Sequence, residues 1–121
     1  MMNEHDFDSQ HLATETRRPL VLPSSTIRYR LGCGNLYVTV SYNEGKSYEV
    51  FAKLGRAGGC PCIMLEAIGK LCSTILRAGL GKDILIDRLG ELKCPSQAWD
   101  EGRWILSCPD AIAKSLGEAE Q

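Results

Sequence analysis

Between Leu54 and Pro61 the apolar pattern of the chain changes period, and that change limits the fold more than any other feature. Upstream, Ile27, Tyr29 and Leu31 alternate with Arg28 and Arg30, the signature of a half-buried strand. Leu36 to Tyr42 is rich in β-branched and aromatic residues and reads as a second strand, and Ser47 to Leu54 as a third. Gly32-Cys33-Gly34-Asn35 and Asn43-Glu44-Gly45-Lys46 are the turns that join them. Downstream, Met64, Ile68, Leu71, Cys72, Ile75 and Leu76 follow helical spacing, with Arg77 in the last turn and Gly79 as the stop. Asp83 to Leu92 is a second helix and Pro109 to Leu116 a short last one, with Lys93 to Trp104 as a loop between them. Strands first and helices after predict an α+β domain: a small antiparallel sheet of about three strands, then two to three helices packed on one face.

The chain has 121 residues, enough for one domain. Residues 1–17 hold few large apolar side chains. They read as a disordered N-terminal tail, and His5 and His11 as solvated rather than metal-binding. Arg17 to Pro23 is an extended lead-in. The domain then covers residues 18–117, and residues 118–121 form a polar C-terminal tail. Fourteen Lys and Arg stand against 15 Asp and Glu without clustering, which argues against nucleic acid as a partner. No apolar run approaches the roughly 20 residues of a membrane span, and the acidic N-terminus is not a secretory signal. Six cysteines without such a signal indicate a reducing, cytoplasmic setting. Trp99 and Trp104 read as core or interface packing, and Asp100-Glu101 as a solvated turn.

Three of those cysteines precede proline: Cys60-Pro61, Cys94-Pro95 and Cys108-Pro109. Proline favours the start of a helix, so Cys60 and Cys108 fall at helix N-termini, where the dipole favours a thiolate and is expected to lower the thiol pKa. Asp110 suits the same dipole. A thiolate binds a soft metal, or it attacks or is oxidised. Cys33, Cys60, Cys94 and Cys108 all lie in predicted loops or at helix starts, and four thiolates around one ion make a closed structural zinc site. Their spacing is not that of zinc knuckles, and no Cys-x-x-Cys occurs, so spacing leaves metal and redox chemistry both open. Cys62, one residue from Cys60, is a poor redox partner for it. Cys72, on the apolar stripe of the long helix, reads as a small buried hydrophobe. Leu54 to Pro61 is a glycine-rich turn from strand to helix. A phosphate cradle built from Gly58 and Gly59 with Arg56 as counter-charge competes there with a plain tight turn.

The stretch "LSCPDAIAKSL" resembles the signature of the TSCPD domain, best known from the C-terminal end of vitamin B12-dependent (class II) ribonucleotide reductases. "GCGNLYVTV", "EVFAKLGRAGGC", "LEAIGKLCSTILRAGL" and "LKCPSQAWDEGRWILSCPDAIAKSL" are similar to successive parts of it, covering Arg18 to Leu116. Leu106 stands where the motif has threonine. The resemblance implies that Cys33, Cys60, Cys94 and Cys108 are the family's recurring cysteines and one shared four-cysteine site, with zinc as its metal. It also implies a free-standing accessory module or small subunit that supports deoxyribonucleotide synthesis. Such a module has no catalytic barrel and no catalytic residues of its own, and its partner is the reductase's large catalytic chain. Adenosylcobalamin would enter only through that chain. A stand-alone zinc module with a regulatory role and a thiol redox partner of the reductase are the competing readings. Self-association is left open.

Overall fold

The computed structural model describes residues 18–55 and 60–118, and of Cys60 and Pro61 only the backbone. The tail read at residues 1–17 lies outside the described residues, as do Arg56, Gly58 and Gly59 of the phosphate-cradle reading. Three strands, β1 (Ser24–Leu31), β2 (Gly34–Asn43) and β3 (Lys46–Leu54), form an antiparallel meander with β2 in the centre. Tyr29 pairs with Leu36, Val38 with Ala52, and Val40 with Val50. These residues face inward with Leu31 and Leu54, whereas Arg28, Arg30, Tyr37, Phe51 and Lys53 face out. The alternation predicted from sequence therefore holds until the bulge at Ser41/Tyr42, which buries both of those residues. Glu44 and Gly45 at φ 54° and 78° close the β2–β3 hairpin in the primed turn that suits strand twist.

Helix α1 (Cys60–Arg77) lies along β3 and covers its free edge. The Ser73 hydroxyl accepts from the Val50 N–H at 3.0 Å and donates to the Val50 carbonyl at 3.3 Å, so it occupies backbone groups that an edge strand leaves unpaired. Gly69 permits this approach: a Cβ there would sit 3.0 Å from the Val50 carbonyl oxygen. The buried stripe of α1 is Leu65, Cys72 and Leu76, with Ile68 and Ile75 half-buried beside it. Met64 and Leu71, read from sequence as part of the stripe, are instead 59% and 66% exposed. The other four positions read onto it, Ile68, Cys72, Ile75 and Leu76, do lie on the covered side, and Leu65 joins them in place of Met64. Helices α2 (Lys82–Leu89) and α3 (Cys108–Glu118) pack on each other, and α3 closes the inner face of β1 and β2 through Ile112 and Leu116. Helix α2 is shorter than read, stopping at Leu89, while α3 extends the predicted last helix at both ends.

The segment read as a loop contains a second hairpin, β4 (Ala98–Asp100) and β5 (Arg103–Ile105). It docks on the free edge of β1, where the Arg30 N–H donates to Asp100 Oδ2 at 2.8 Å. Asp100 thus caps an edge rather than sitting in a wholly solvated turn. Ile105 is fully buried, but Trp99 and Trp104 stack edge to face on the outer side of the hairpin, 57% and 53% exposed. The core reading of the two tryptophans is therefore overturned. Their partners are each other and solvent.

One charge is buried at the sheet margin. Glu49, 2% exposed, accepts a forked pair from Arg18 at 2.6 and 3.1 Å and a further hydrogen bond from Arg77, whose guanidinium also lies over the Tyr48 ring. Burial pushes the Glu49 carboxyl up, but the two arginines outweigh it and hold it below its ordinary value. This network straps the lead-in segment to the end of α1.

Candidate functional site

The site is assembled around Ser107-Cys108-Pro109-Asp110. Ser107 is the N-cap of α3: its oxygen accepts from the Asp110 N–H at 3.1 Å, and its carbonyl accepts the first helical bond from Ala111 at 3.0 Å. The same hydroxyl donates to the Leu92 carbonyl at 2.6 Å. Asp110, 1% exposed, turns back from the first turn past the N-cap, reaching the residue before it rather than the Ser107 N–H that the acid of a capping box takes. Its carboxylate accepts from the Glu91 N–H (2.8 Å), the Leu106 N–H (3.0 Å) and Lys114 Nζ (2.5 Å). Burial raises the Asp110 pKa, and those three donors together lower it by more, so the group stays ionised below its ordinary range. Ser107 and Asp110 thereby fasten residues 91 and 92 to the start of α3.

Two backbone bonds complete the convergence. The Cys94 N–H donates to the Leu106 carbonyl at 3.0 Å, and the Gly32 N–H donates to the Ser96 carbonyl at 2.8 Å. The β1–β2 turn, the Cys94-Pro95 loop and the N-terminus of α3 are therefore held side by side, and each carries a cysteine. Cys108 lies close enough to Cys33 and Cys94 for both to raise its thiol pKa, Cys33 the more strongly. Cys33 is exposed, and Cys94 and Cys108 are half-buried. Of the other cysteines singled out from sequence, Cys33 and Cys94 thus lie near Cys108. The side chain of the fourth, Cys60, lies outside the described residues, although α1 does begin at that position.

The pKa expected of Cys108 is corrected by this geometry. Burial, then the adjacent Cys94 and Cys33 sulfurs, push its thiol up to about 11 rather than down. The dipole argument fails because the end of α3 is already satisfied by Ser107 and Asp110, while the sulfur sits among other sulfurs. A thiol in that state is a poor nucleophile at neutral pH. Among the described residues, no group of three or more His, Cys, Asp or Glu is gathered closely enough to hold a metal ion as it stands. The donor chemistry of Cys33, Cys94 and Cys108 nevertheless suits a soft cation such as zinc, which displaces thiol protons when it binds.

The TSCPD domain matches residues 13–120. The chain belongs to the TSCPD domain family. TSCPD domains are known from ribonucleotide reductases. No curated protein and no solved structure matches the chain. The defining motif of this TSCPD domain is, in physical terms, a helix cap with a thiol set into it. Ser107 and Asp110 do the fastening, Pro109 suits the first turn, and Cys108 faces the other cysteines. Sequence reasoning took Asp110 only as a complement to the dipole. The Ser-x-x-Asp spacing of a capping box was the signal for its larger role.

The remaining cysteines are elsewhere. Cys72 is buried in the core at 3% exposure, which pushes its thiol up, in keeping with its reading as a small hydrophobe. Cys62 lines a groove of about 740 Å³ between α1 and β3, together with Phe51, Lys53, Lys70 and Arg77. None of Cys33, Cys94 and Cys108 lines it. No helix among the described residues is long and apolar enough to cross a membrane.

Proposed function

We propose that this TSCPD domain is a non-catalytic module of a B12-dependent ribonucleotide reductase system, supporting deoxyribonucleotide synthesis by docking on the large catalytic chain. What supports the reading is the approach of Cys33 and Cys94 to Cys108 from separate elements, in a chain of a family known from ribonucleotide reductases. In this reading Cys33, Cys60, Cys94 and Cys108 hold zinc. The ion supplies a cross-link between the sheet turn, the α1 start and the α3 start, not a reaction step. Such a tie does here what additional core would do in a larger domain.

Catalysis and adenosylcobalamin are assigned to the partner chain. The exposed Trp99–Trp104 pair supplies a candidate contact with it, since large aromatic anchors dominate the energetics of protein interfaces. The test is reconstitution. Ribonucleotide reduction by the B12-dependent catalytic chain is measured with and without this domain, alongside co-purification of the two. Association with a rise in turnover is expected. Failure to associate, with turnover unchanged, would count against the reading.

A further inference from the structure

The outer face of the three-stranded sheet has so far entered only at its β3 margin, through the Glu49 network and the groove that Phe51 and Lys53 share with α1. Its rows run Thr26, Thr39, Phe51 and then Arg28, Tyr37, Lys53, with Arg30 beside Asn35 at the next step. Tyr37 and Phe51 are 40% and 54% exposed and diagonal neighbours on adjacent strands, so two rings lie open on one surface. Three cations surround them. The Arg30 and Lys53 side chains make no ion pair among the described residues, although Asp100 lies against the Arg30 N–H and Glu66 shares the α1–β3 groove with Lys53, and Arg28 meets the exposed Glu101 only at 3.9 Å. Of the acids bordering this face, Glu49 is already closed by Arg18 and Arg77 and Glu66 pairs with Lys70, which leaves Asp100 and Glu101 at the β1 margin. A chain total of nearly zero does not exclude a locally basic surface, because a sum does not record where in the fold the charges fall.

Exposed rings on an antiparallel sheet, flanked by arginine and lysine, are what unpaired nucleobases and their phosphates require. Stacking needs only an open ring face, and the cations follow the backbone. From this arrangement we infer that the outer sheet face is a binding surface for single-stranded nucleic acid. Bases stack on Tyr37 and Phe51, and phosphates meet Arg28, Arg30 and Lys53. The face spans three strands and holds two rings, so it suits a strand rather than one nucleotide. The inference does not depend on the thiol cluster or on the reductase reading.

The experiment is fluorescence anisotropy with labelled 12-nucleotide oligothymidine and oligouridine, across salt from 50 to 200 mM. Three phosphate contacts predict a log–log slope of about −2, or roughly a 20-fold loss over that range. Tyr37→Leu and Phe51→Leu keep an apolar side chain on an exposed site but remove the ring. Each is expected to weaken binding at least about fivefold. Arg30→Gln and Lys53→Gln are expected to lower the salt slope by about 0.7 each, which gives a second readout independent of the rings. No binding of either oligonucleotide at 50 mM salt overturns the inference. So does binding that both leucine variants retain in full, or a mononucleotide that competes as well as the 12-mer, since that would mark a one-nucleotide pocket.

Discussion

Replacing Asp110 with asparagine tests whether the TSCPD motif is a structural fastening. Asp110 offers two acceptor oxygens: Oδ1 takes the Glu91 N–H, and Oδ2 takes the Leu106 N–H and Lys114. Asparagine offers one. Whichever way the amide is turned, its NH₂ group meets a donor at a residue that is 1% exposed. A buried donor left unpaired costs about 1–3 kcal/mol. Loss of the charge on a partner of Lys114, itself only 25% exposed, adds to that. Asp110→Asn is therefore expected to destabilise the domain by about 2–3 kcal/mol, lowering its melting temperature by roughly 10–20 °C for a domain of this size. Urea denaturation at fixed metal content measures the loss. Amide hydrogen exchange locates it: protection at Glu91 and Leu106 should fall, while Val50, held by Ser73 on the far side of the sheet, should keep its own. A loss under 0.5 kcal/mol, or unchanged exchange at Glu91 and Leu106, would refute the reasoning.

Other consequences can be checked separately. Gly69→Ala gains about 1 kcal/mol of helix propensity, yet its methyl would sit 3.0 Å from the Val50 carbonyl oxygen, whose residue Ser73 also holds, so net destabilisation is expected in the same assay and a gain would show that strand and helix can shift apart there. Glu49 has a lowered folded pKa, so its contribution is fully present above its unfolded value of about 4.5 and is lost as pH falls through the folded one. Glu49→Gln should therefore flatten the acid arm of stability against pH below about 4.5, and an unchanged arm would show that the two arginines do not act through this carboxylate. Trp99→Ala should weaken association with the catalytic chain by about 2 kcal/mol or more while leaving the melting temperature nearly unaltered, as its 57% exposure implies. Equal affinity would remove the tryptophan pair from that interface.

The meander and the helix starts could be read from sequence because their determinants are local. Ile27, Tyr29 and Leu31 alternate, Glu44-Gly45 turn, and proline follows Cys60 and Cys108. The β4–β5 hairpin escaped because its strands are three residues long and carry tryptophans that point outward, so neither period nor apolar content marks them. The buried face of α1 was legible at Ile68, Cys72, Ile75 and Leu76, whereas Met64 and Leu71 border it and only contact with β3 decides which side is covered. Glu49 gave no local sign of burial. Its partners are 31 and 28 residues away. Cys108 shows the same limit in chemistry. Its helix position was legible, but its thiol is governed by Cys33 and Cys94, which only the folded chain brings beside it. The grouping of these cysteines into one site came from the resemblance more than from spacing.

The central claim is that these cysteines form one metal site, and metal content per chain tests it most directly. Protein purified without chelator is compared with Cys33→Ser, Cys60→Ser, Cys94→Ser and Cys108→Ser, with Cys62→Ser as the control outside the cluster. The account predicts about one zinc per chain, lost in each of the four variants and kept in Cys62→Ser. No metal in the unaltered protein, or loss in Cys62→Ser with retention in Cys94→Ser, would contradict it.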